Sequence, residues 1–419
     1  MYLKLFGVFG LALAVCNVAA EGGDGVTHDP SLEQIPAEEA GQIQNIVQLT
    51  IAQMKQRYSG NQFVMRGVHP KDHGCVMARF KVADDLAEDL RVGVFSKPGR
   101  EYQAWIRFSN AAVRTGPDSP PVKEGSADVK HGSRGMAIKL LGVDGTPLLD
   151  DAGPRTQDFL MVNHPVFVFA NVEDYEVLSK VLLENGDDPG GFFKERIRLD
   201  PMGKPNLADP ATRRALRSLQ IAGRIQSLSM AAEPPAYQDP PASPVDNCYF
   251  SAAPYLFGAE KAMKFRARPV APDKGTAPKT ADPNYLRAAL YERLTAPSKQ
   301  LTVPSKQLTA PSAPDVVFEF QVQVRTKADL AGKLETEIEN ACTEWDEKTY
   351  PFATVATITI PPQDFDTPER RLWCEEHLIF TPWHGIKEHQ PIGGINRLKL
   401  EVYKASSSFR HVPKEPAAF

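Results

Sequence analysis

The residues best suited to chemistry fall in four short segments. The first reads Arg66-Gly-Val68-His69-Pro-Lys-Asp-His73-Gly-Cys75. A neutral imidazole titrating near ~6.5 can accept a proton and return it, so His69 is a candidate acid–base. The His69/His73 pair lacks the HExxH form, and Pro70 and Gly74 argue against the helix on which a zinc pair would sit. Read alone, His69 is a satisfied structural histidine at a strand edge. The second segment is Trp105-Ile-Arg107-Phe-Ser109-Asn110, followed by Gly125-Ser-Ala-Asp128 and Ser133-Arg134-Gly135-Met-Ala-Ile-Lys139. In the third, Asp158-Phe-Leu-Met-Val-Asn163-His-Pro-Val-Phe167, a lone Asn sits among apolar residues. It must find hydrogen-bond partners or cost roughly 1–3 kcal/mol, unless it is a turn residue. The fourth runs Pro382-Trp-His384-Gly-Ile-Lys-Glu-His389-Gln-Pro-Ile-Gly393-Gly394-Ile-Asn396-Arg397-Leu-Lys399-Leu-Glu-Val-Tyr403, then Ser406-Ser-Ser-Phe-Arg410. By itself Tyr403 reads as a helix-face aromatic in the core.

Strand-like stretches surround these segments. Cys75–Val82, Ala104–Phe108, Gly135–Leu141 and Phe159–Phe169 mix apolar with β-branched or aromatic residues between Gly, Pro and Asp clusters. Val316–Val324 alternates as VVFEFQVQV and Val355–Ile360 reads VATITI, each with one apolar face. Between Ser31 and Tyr58 the spacing of Ile43, Ile46, Val47, Thr50, Ile51 and Met54 predicts an amphipathic entry helix. Helices are also expected at Val172–Asn185, Thr212–Ser227, Tyr285–Arg293 and Ala328–Asn340. The class is therefore α+β around a mainly antiparallel sheet.

The chain has 419 residues, 42% apolar and 24% charged, a globular composition with room for one large or two medium cores. Its net charge of −4 favours no polyanion, so nucleic acid is excluded as an expected partner. The N-terminus has Lys4, an apolar run from Leu5 to Val15, and small residues ending Val18-Ala19-Ala20 before Glu21. That run is too short for a bilayer core of ~30 Å, so residues 1–20 read as a cleaved secretory signal and a secreted or periplasmic location is expected. Val15 argues against lipidation of Cys16, because the residue before a lipidated Cys is normally small. No later stretch approaches ~18 apolar residues, and no stable membrane insertion is expected. Cys75, Cys248, Cys342 and Cys374 then remain, with no CxxC or CxxCH, so neither a zinc knuckle nor covalently attached haem is indicated. Their pairing stays open. The tandem copies Leu294-Thr-Ala-Pro-Ser-Lys-Gln, Leu301-Thr-Val-Pro-Ser-Lys-Gln and Leu308-Thr-Ala-Pro-Ser each carry a Pro that no helix or central strand tolerates, which marks an exposed linker over 294–314. An arm and helix over 21–60 precede the core, which runs over 61–293 and resumes over 315–419.

Order and spacing add what no single segment carries. RxxHxK from Arg66, RFS from Arg107, DxxxxxRGxAxK from Asp128, DFxxxN from Asp158 with Pro165 two residues beyond, and Tyr403 with Arg410 seven residues on together resemble the haem catalases and their shorter relatives. The resemblance runs from about Arg66 to Arg410, loosely over the linker and over 186–267, and the ending from Trp383 to Arg410 is similar to the shorter, often bacterial branch. It implies an antiparallel β-barrel with flanking helices and haem b buried at one barrel end. It implies further that His69 is the distal base, that Ser109 hydrogen-bonds behind it, that Asn163 is the second distal polar group and that Tyr403 is the iron ligand. Arg66, Arg107 and Arg410 would hold the haem propionates, with Val68 and Lys399 completing the cofactor contacts, and Asp128 and Arg134 would be structural. The substrate would be a small-molecule peroxide.

These residue types suit those roles. Heterolysis of a peroxide O–O bond requires moving a proton from one oxygen to the other, which a neutral imidazole can do, while an Asn can donate to the leaving hydroxyl without a charge of its own. Guanidinium forks grip carboxylates in bidentate fashion. A phenol titrating near ~10 binds as phenolate only with a ferric ion and a neighbouring cation to stabilise it. The family places Arg four residues before the ligand Tyr, where this chain has Lys399. Lysine keeps the charge and loses the fork, so the expectation is a less well clamped phenolate and lower catalase turnover, with Arg397 able to compensate only through a local change of backbone path. Two other readings stand beside peroxide consumption. One is rearrangement of fatty-acid hydroperoxides on the same scaffold, whose enzymes place Thr where this chain has Val68; the other is a haem-binding relative with little turnover.

Overall fold

The computed structural model describes residues 26–58, 64–111, 132–149, 155–186, 188–226, 242–273, 282, 284–296 and 313–410. The secretory signal expected over 1–20, Asp128 and most of the repeat linker lie outside the described residues.

Helix α1 (Glu39–Arg57) buries Ile43, Ile46, Thr50 and Met54 along one stripe. Strands β1 (Asp72–Val82), β2 (Glu101–Asn110), β3 (Arg134–Leu141) and β4 (Thr156–Val162) follow as an antiparallel meander. Three helices come next, α2 (Val172–Glu184), α3 (Gly190–Arg196) and α4 (Pro210–Gln226). The chain then returns to the sheet in β5 (Tyr249–Phe250), β6 (Tyr255–Leu256) and β7 (Lys261–Pro269). Helix α5 (Tyr285–Thr295) precedes β8 (Val316–Thr326), the short helices α6 (Lys327–Leu330) and α7 (Leu334–Glu337), and β9 (Ala353–Ile360). After α8 (Pro368–Leu372) and a wide turn over Trp373–His377, the described chain ends in α9 (Gly394–Phe409).

The strand order is β5-β4-β3-β2-β1-β9-β8-β7, and β5 also pairs with β7, so eight antiparallel strands close into a barrel to which β6 is appended. Period-two alternation sends Phe80, Ile106, Phe108, Ile138, Phe159, Phe265, Phe318 and Phe320 inward, all with no exposed surface. The Phe159 ring lies 4.8 Å from that of Phe320 and 5.0 Å from that of Phe265. Aromatic side chains thus fill the barrel, as expected for a lumen of this strand number. A ligand site must lie outside it.

The α+β class and the antiparallel barrel match expectation, and three local differences have physical causes. The strand expected to reach Phe169 stops at Val162, ahead of Pro165, which has no ladder donor. The helix expected over Ala328–Asn340 is divided into α6 and α7 at Gly332, whose φ of 71° no helix continues. Strand β7 was not expected, because Lys261, Lys264, Arg266 and Arg268 hide its alternating Ala262, Met263, Phe265 and Ala267. Among the described residues no helix is long and apolar enough to cross a membrane.

Candidate active site

Alternation that sends one row of each strand into the barrel must send the other row out, and the register aligns two outward rows across neighbouring strands. Cys75, Arg107, Ala137 and Leu160 form one; Asp72, Ser109, Gly135 and Val162 form the next. Opposite this wall stands α9, an amphipathic helix with two working faces. Ile395, Leu398 and Val402 pack on Ile43 and Ile46 of α1 and Val172 of α2. Lys399, Tyr403, Ser406 and Arg410 recur every three or four residues on the side that lines a cavity, with Ser407 beside them. Gly393 starts the helix at a φ of 85°, and a Cβ there would meet the Ile338 carbonyl oxygen at 2.6 Å.

The cavity opens onto solvent, and the space free of protein atoms within its bounds, open solvent included, is about 880 Å³. Val68, Leu160, Val162, Phe167, Ile379 and Phe380 give it apolar walls, and His69, Ser109, Arg66, Arg107, Lys399, Tyr403 and Arg410 supply its chemistry. It lies against the outer wall of β2, β3 and β4, toward the barrel end at which β2 and β4 finish and β3 begins; packed aromatic side chains fill the lumen itself.

His69 adopts a φ of 54°, one of two non-glycine residues with positive φ among the described residues. Such a conformation persists only where its surroundings fix it. Here Ser109 Oγ lies 3.0 Å from His69 Nδ1, and the Gly67 N–H donates to Ser406 Oγ at 3.2 Å, tying this segment to α9. Burial, then the charges of Arg107, Lys399 and Arg66, push the imidazole down to about 3, so at neutral pH it is an uncharged proton acceptor.

Gly135 is what makes room for this pair. A Cβ at that position would stand 2.5 Å from His69 Nδ1 and 2.8 Å from Ser109 Oγ. Gly135→Ala is therefore expected to part the two side chains and destabilise the fold by about 1–3 kcal/mol. Gly41→Ala in α1, where no atom lies within 4 Å, should leave stability unchanged or raised. Equal melting temperatures for the two variants would contradict the crowded geometry.

Tyr403 is half-buried, and its hydroxyl makes no hydrogen bond among the described residues. Burial and then Tyr175 push the phenol above its ordinary value, with Arg66 opposing them, so the oxygen becomes anionic only if a cation is placed on it. Lys399, one turn earlier, donates instead to Asn396 Oδ1 at 3.1 Å and lies 5.7 Å from the centre of the Phe167 ring. Burial pushes its ammonium down to about 8. Arg397 does not compensate. Its guanidinium is enclosed by Glu33 at 2.6 Å, Glu39 at 2.5 Å and Glu339 at 2.7 Å, away from the cavity.

Arg66, Arg107 and Arg410 meet at one side of the cavity, as their spacing alone could not show. Asn163 does not join them. It follows β4, its Oδ1 accepts the Arg134 N–H at 2.7 Å and its own N–H donates to the Arg134 carbonyl at 3.0 Å. Its neighbour Val162 is among the residues lining the cavity. Arg134 itself donates to Asn110 Oδ1 at 2.7 Å, as does His73, whose Nε2 lies 2.8 Å from the same oxygen.

Sequence reasoning missed Glu375. Its carboxylate lies 2.6 Å from Arg107 Nε and 3.3 Å from Arg66 Nε. Burial works against its ionisation, but Arg107 and Arg66 outweigh burial and hold it down at about 2. The residue before it, Cys374, is bridged to Cys75 with a Cα–Cα separation of 6.3 Å, which answers the open question of pairing; Cys248 and Cys342 are free thiols. One Glu in a Trp-Cys-Glu-Glu-His run carries no periodic signal by which to pick it out.

A filled eight-stranded antiparallel barrel with helices outside it, and a site between its outer wall and the last helix, defines the catalase fold. Two solved structures align with it, a fungal catalase and catalase A from Saccharomyces cerevisiae. Each covers 84% of this chain at a TM-score of 0.53 and 16% identity. The chain spans 61% of the length of each of these catalases. No family model and no curated sequence matches the chain.

Proposed function

We propose that this protein is a secreted or periplasmic haem enzyme that consumes hydrogen peroxide, by disproportionation or by peroxidatic reduction, and so protects against oxidative stress. The observation that carries this reading is the convergence of the His69–Ser109 pair and Tyr403 on one apolar-walled cavity with three arginines beside it. Haem b fits that lining: Gly135 and Ala137 leave the wall low enough for a flat group, Tyr403 offers an oxygen to ferric iron, and the arginines suit two propionates. Bound haem would supply the redox centre at which a peroxide O–O bond is cleaved.

The chain's own side chains do the rest. His69, uncharged at neutral pH, takes the proton from one peroxide oxygen and returns it to the other, while Ser109 holds the ring in one orientation. Val68 and Phe167 keep bulk water from the exchange. The Cys75–Cys374 bridge supports an oxidising compartment, in keeping with the N-terminal signal. Val68 has no hydroxyl to offer the imidazole, which argues against hydroperoxide rearrangement.

One observation favours a second reading, low catalase turnover on a scaffold that binds haem: among the described residues none donates to the Tyr403 hydroxyl, and Lys399 is turned to Asn396. Lys399→Arg is expected to raise oxygen evolution relative to peroxidase turnover at matched haem occupancy. The gain should stay below about tenfold, because an ammonium already recovers part of one charge-assisted hydrogen bond. Unchanged kinetics in both Lys399→Arg and Lys399→Met would show that this side chain does not tune the ligand. For the function itself, peroxide-driven oxygen evolution measured beside peroxidase dye oxidation separates the readings. Haem binding with neither activity would leave only a binding module.

A further inference from the structure

The arginine cluster is gripped along one edge of each guanidinium. Arg107 donates from Nε to Glu375 Oε1 at 2.6 Å and from Nη2 to Oε2 at 3.1 Å. Arg66 donates from Nε to Glu375 Oε2 at 3.3 Å and from Nη2 to the carbonyls of Cys374 at 2.9 Å and Leu378 at 3.1 Å. Arg410 donates from Nη2 to the Glu375 carbonyl oxygen and from Nε to that of Val64 at 3.4 Å. Among the described residues, none of the three Nη1 atoms makes a hydrogen bond, although all three side chains line the cavity.

The charges do not balance. The Glu375 carboxylate pairs with two of the three guanidinium groups, Arg66 and Arg107; Asp72 is paired with Arg287 at 2.8 Å, and Glu376 is a second acidic side chain whose charge acts on Arg410. With Glu375 and Glu376 both counted against the three guanidinium groups, one positive charge is left over, and burying it without a partner is costly. A carboxylate of a bound ligand offsets that cost. Glu375 cannot move away easily: Cys374 is bridged to Cys75, which stands opposite Arg107 in the β1–β2 register.

We infer that Glu375, pinned by the Cys75–Cys374 bridge, is a positioning residue that cancels one of the three charges and holds Arg66, Arg107 and Arg410 with their Nη1 ends left for the carboxylates of the bound group. A plug competing with the ligand would take the ends that Glu375 leaves uncommitted. The identity of that group as haem rests on the function proposed above; the role of Glu375 is a separate claim.

The test uses the full chain with its bridge intact and two probes, iron protoporphyrin IX and its dimethyl ester, which lacks free carboxylates. Glu375→Gln is expected to weaken binding of the free acid by at least about tenfold, the scale of one misdirected charge-assisted hydrogen bond. Ester binding should stay within about twofold. Cys374→Ser, which breaks the bridge, should show the same selective loss. If Glu375→Gln does not fold, Glu375→Asp keeps the charge on a shorter arm and should show a smaller loss of the same kind. Tighter binding of the free acid by Glu375→Gln would make Glu375 a competitor and overturn the inference. Parallel losses for both probes, or no change for either, would also overturn it. A wild-type protein that binds neither probe would instead remove the haem reading, and this inference with it.

Discussion

Tyr403→Phe is expected to abolish stable haem incorporation, with affinity falling by more than about 10²-fold, beyond the 10–100-fold loss typical of an outer-shell partner alone. The substitution removes one oxygen and keeps the ring that packs beside Phe167 and Tyr175 at the edge of the α1/α2/α9 core. Because no described residue hydrogen-bonds that hydroxyl, its loss leaves no buried donor or acceptor unpaired, and the fold should keep its melting temperature. The cavity otherwise stays as it is, so a fall in haem stoichiometry would report the ligand and not the scaffold. Retention of a wild-type spectrum in this variant would remove Tyr403 from the proximal position.

His69→Ala should keep haem and lose peroxide cleavage by at least ~10²-fold, the scale of a positioned general acid–base. Asn163→Ala should cost less, since its amide oxygen is held by the Arg134 backbone. A larger loss in Asn163→Ala would reverse that order of roles. With the imidazole pushed down to about 3, activity should hold steady from neutral pH toward 4 and not fall through the usual histidine range near ~6.5. Stability behaves differently. The folded protein keeps His69 uncharged below ~6.5 while the unfolded chain protonates it, so the unfolded state binds more protons and stability falls as pH drops toward 3. His164 and His389, each pushed down to about 4 chiefly by burial, act in the same direction. Each imidazole contributes a slope of up to about 1.4 kcal/mol per pH unit. Melting temperature measured from pH 7 to 4.5 should decline, and less steeply in His69→Ala. A flat profile, or activity lost near 6.5, would contradict the burial of this ring.

Much of the site was legible because it obeys two periods. Arg107 and Ser109 are two apart on one strand, so they share a face, and Lys399, Tyr403, Ser406 and Arg410 recur at helical spacing, so they share a stripe. Periodicity gives faces but not register. It could not show that Ser109 and Gly135 stand opposite one another, nor that the cavity lies on the outer wall. The turn of Asn163 toward Arg134 depends on where β4 ends, one residue earlier. Arg397, on the helix that carries Tyr403, could reach the phenol only through a change of backbone path, and its enclosure by Glu33, Glu39 and Glu339 from three distant segments is not written in any local pattern. Glu375 and the Cys75–Cys374 bridge likewise depend on contacts between positions about three hundred residues apart, which no local pattern encodes.

The central claim, that this cavity holds haem through Tyr403, is tested most directly by an absorption titration of the purified protein with ferric haem b. The expected result is saturation at about one haem per chain, as one cavity with one phenolic ligand requires, with the bands of a high-spin ferric iron bound by tyrosinate. Failure to saturate, or the spectrum of an iron held by histidine or by two axial ligands, would contradict it.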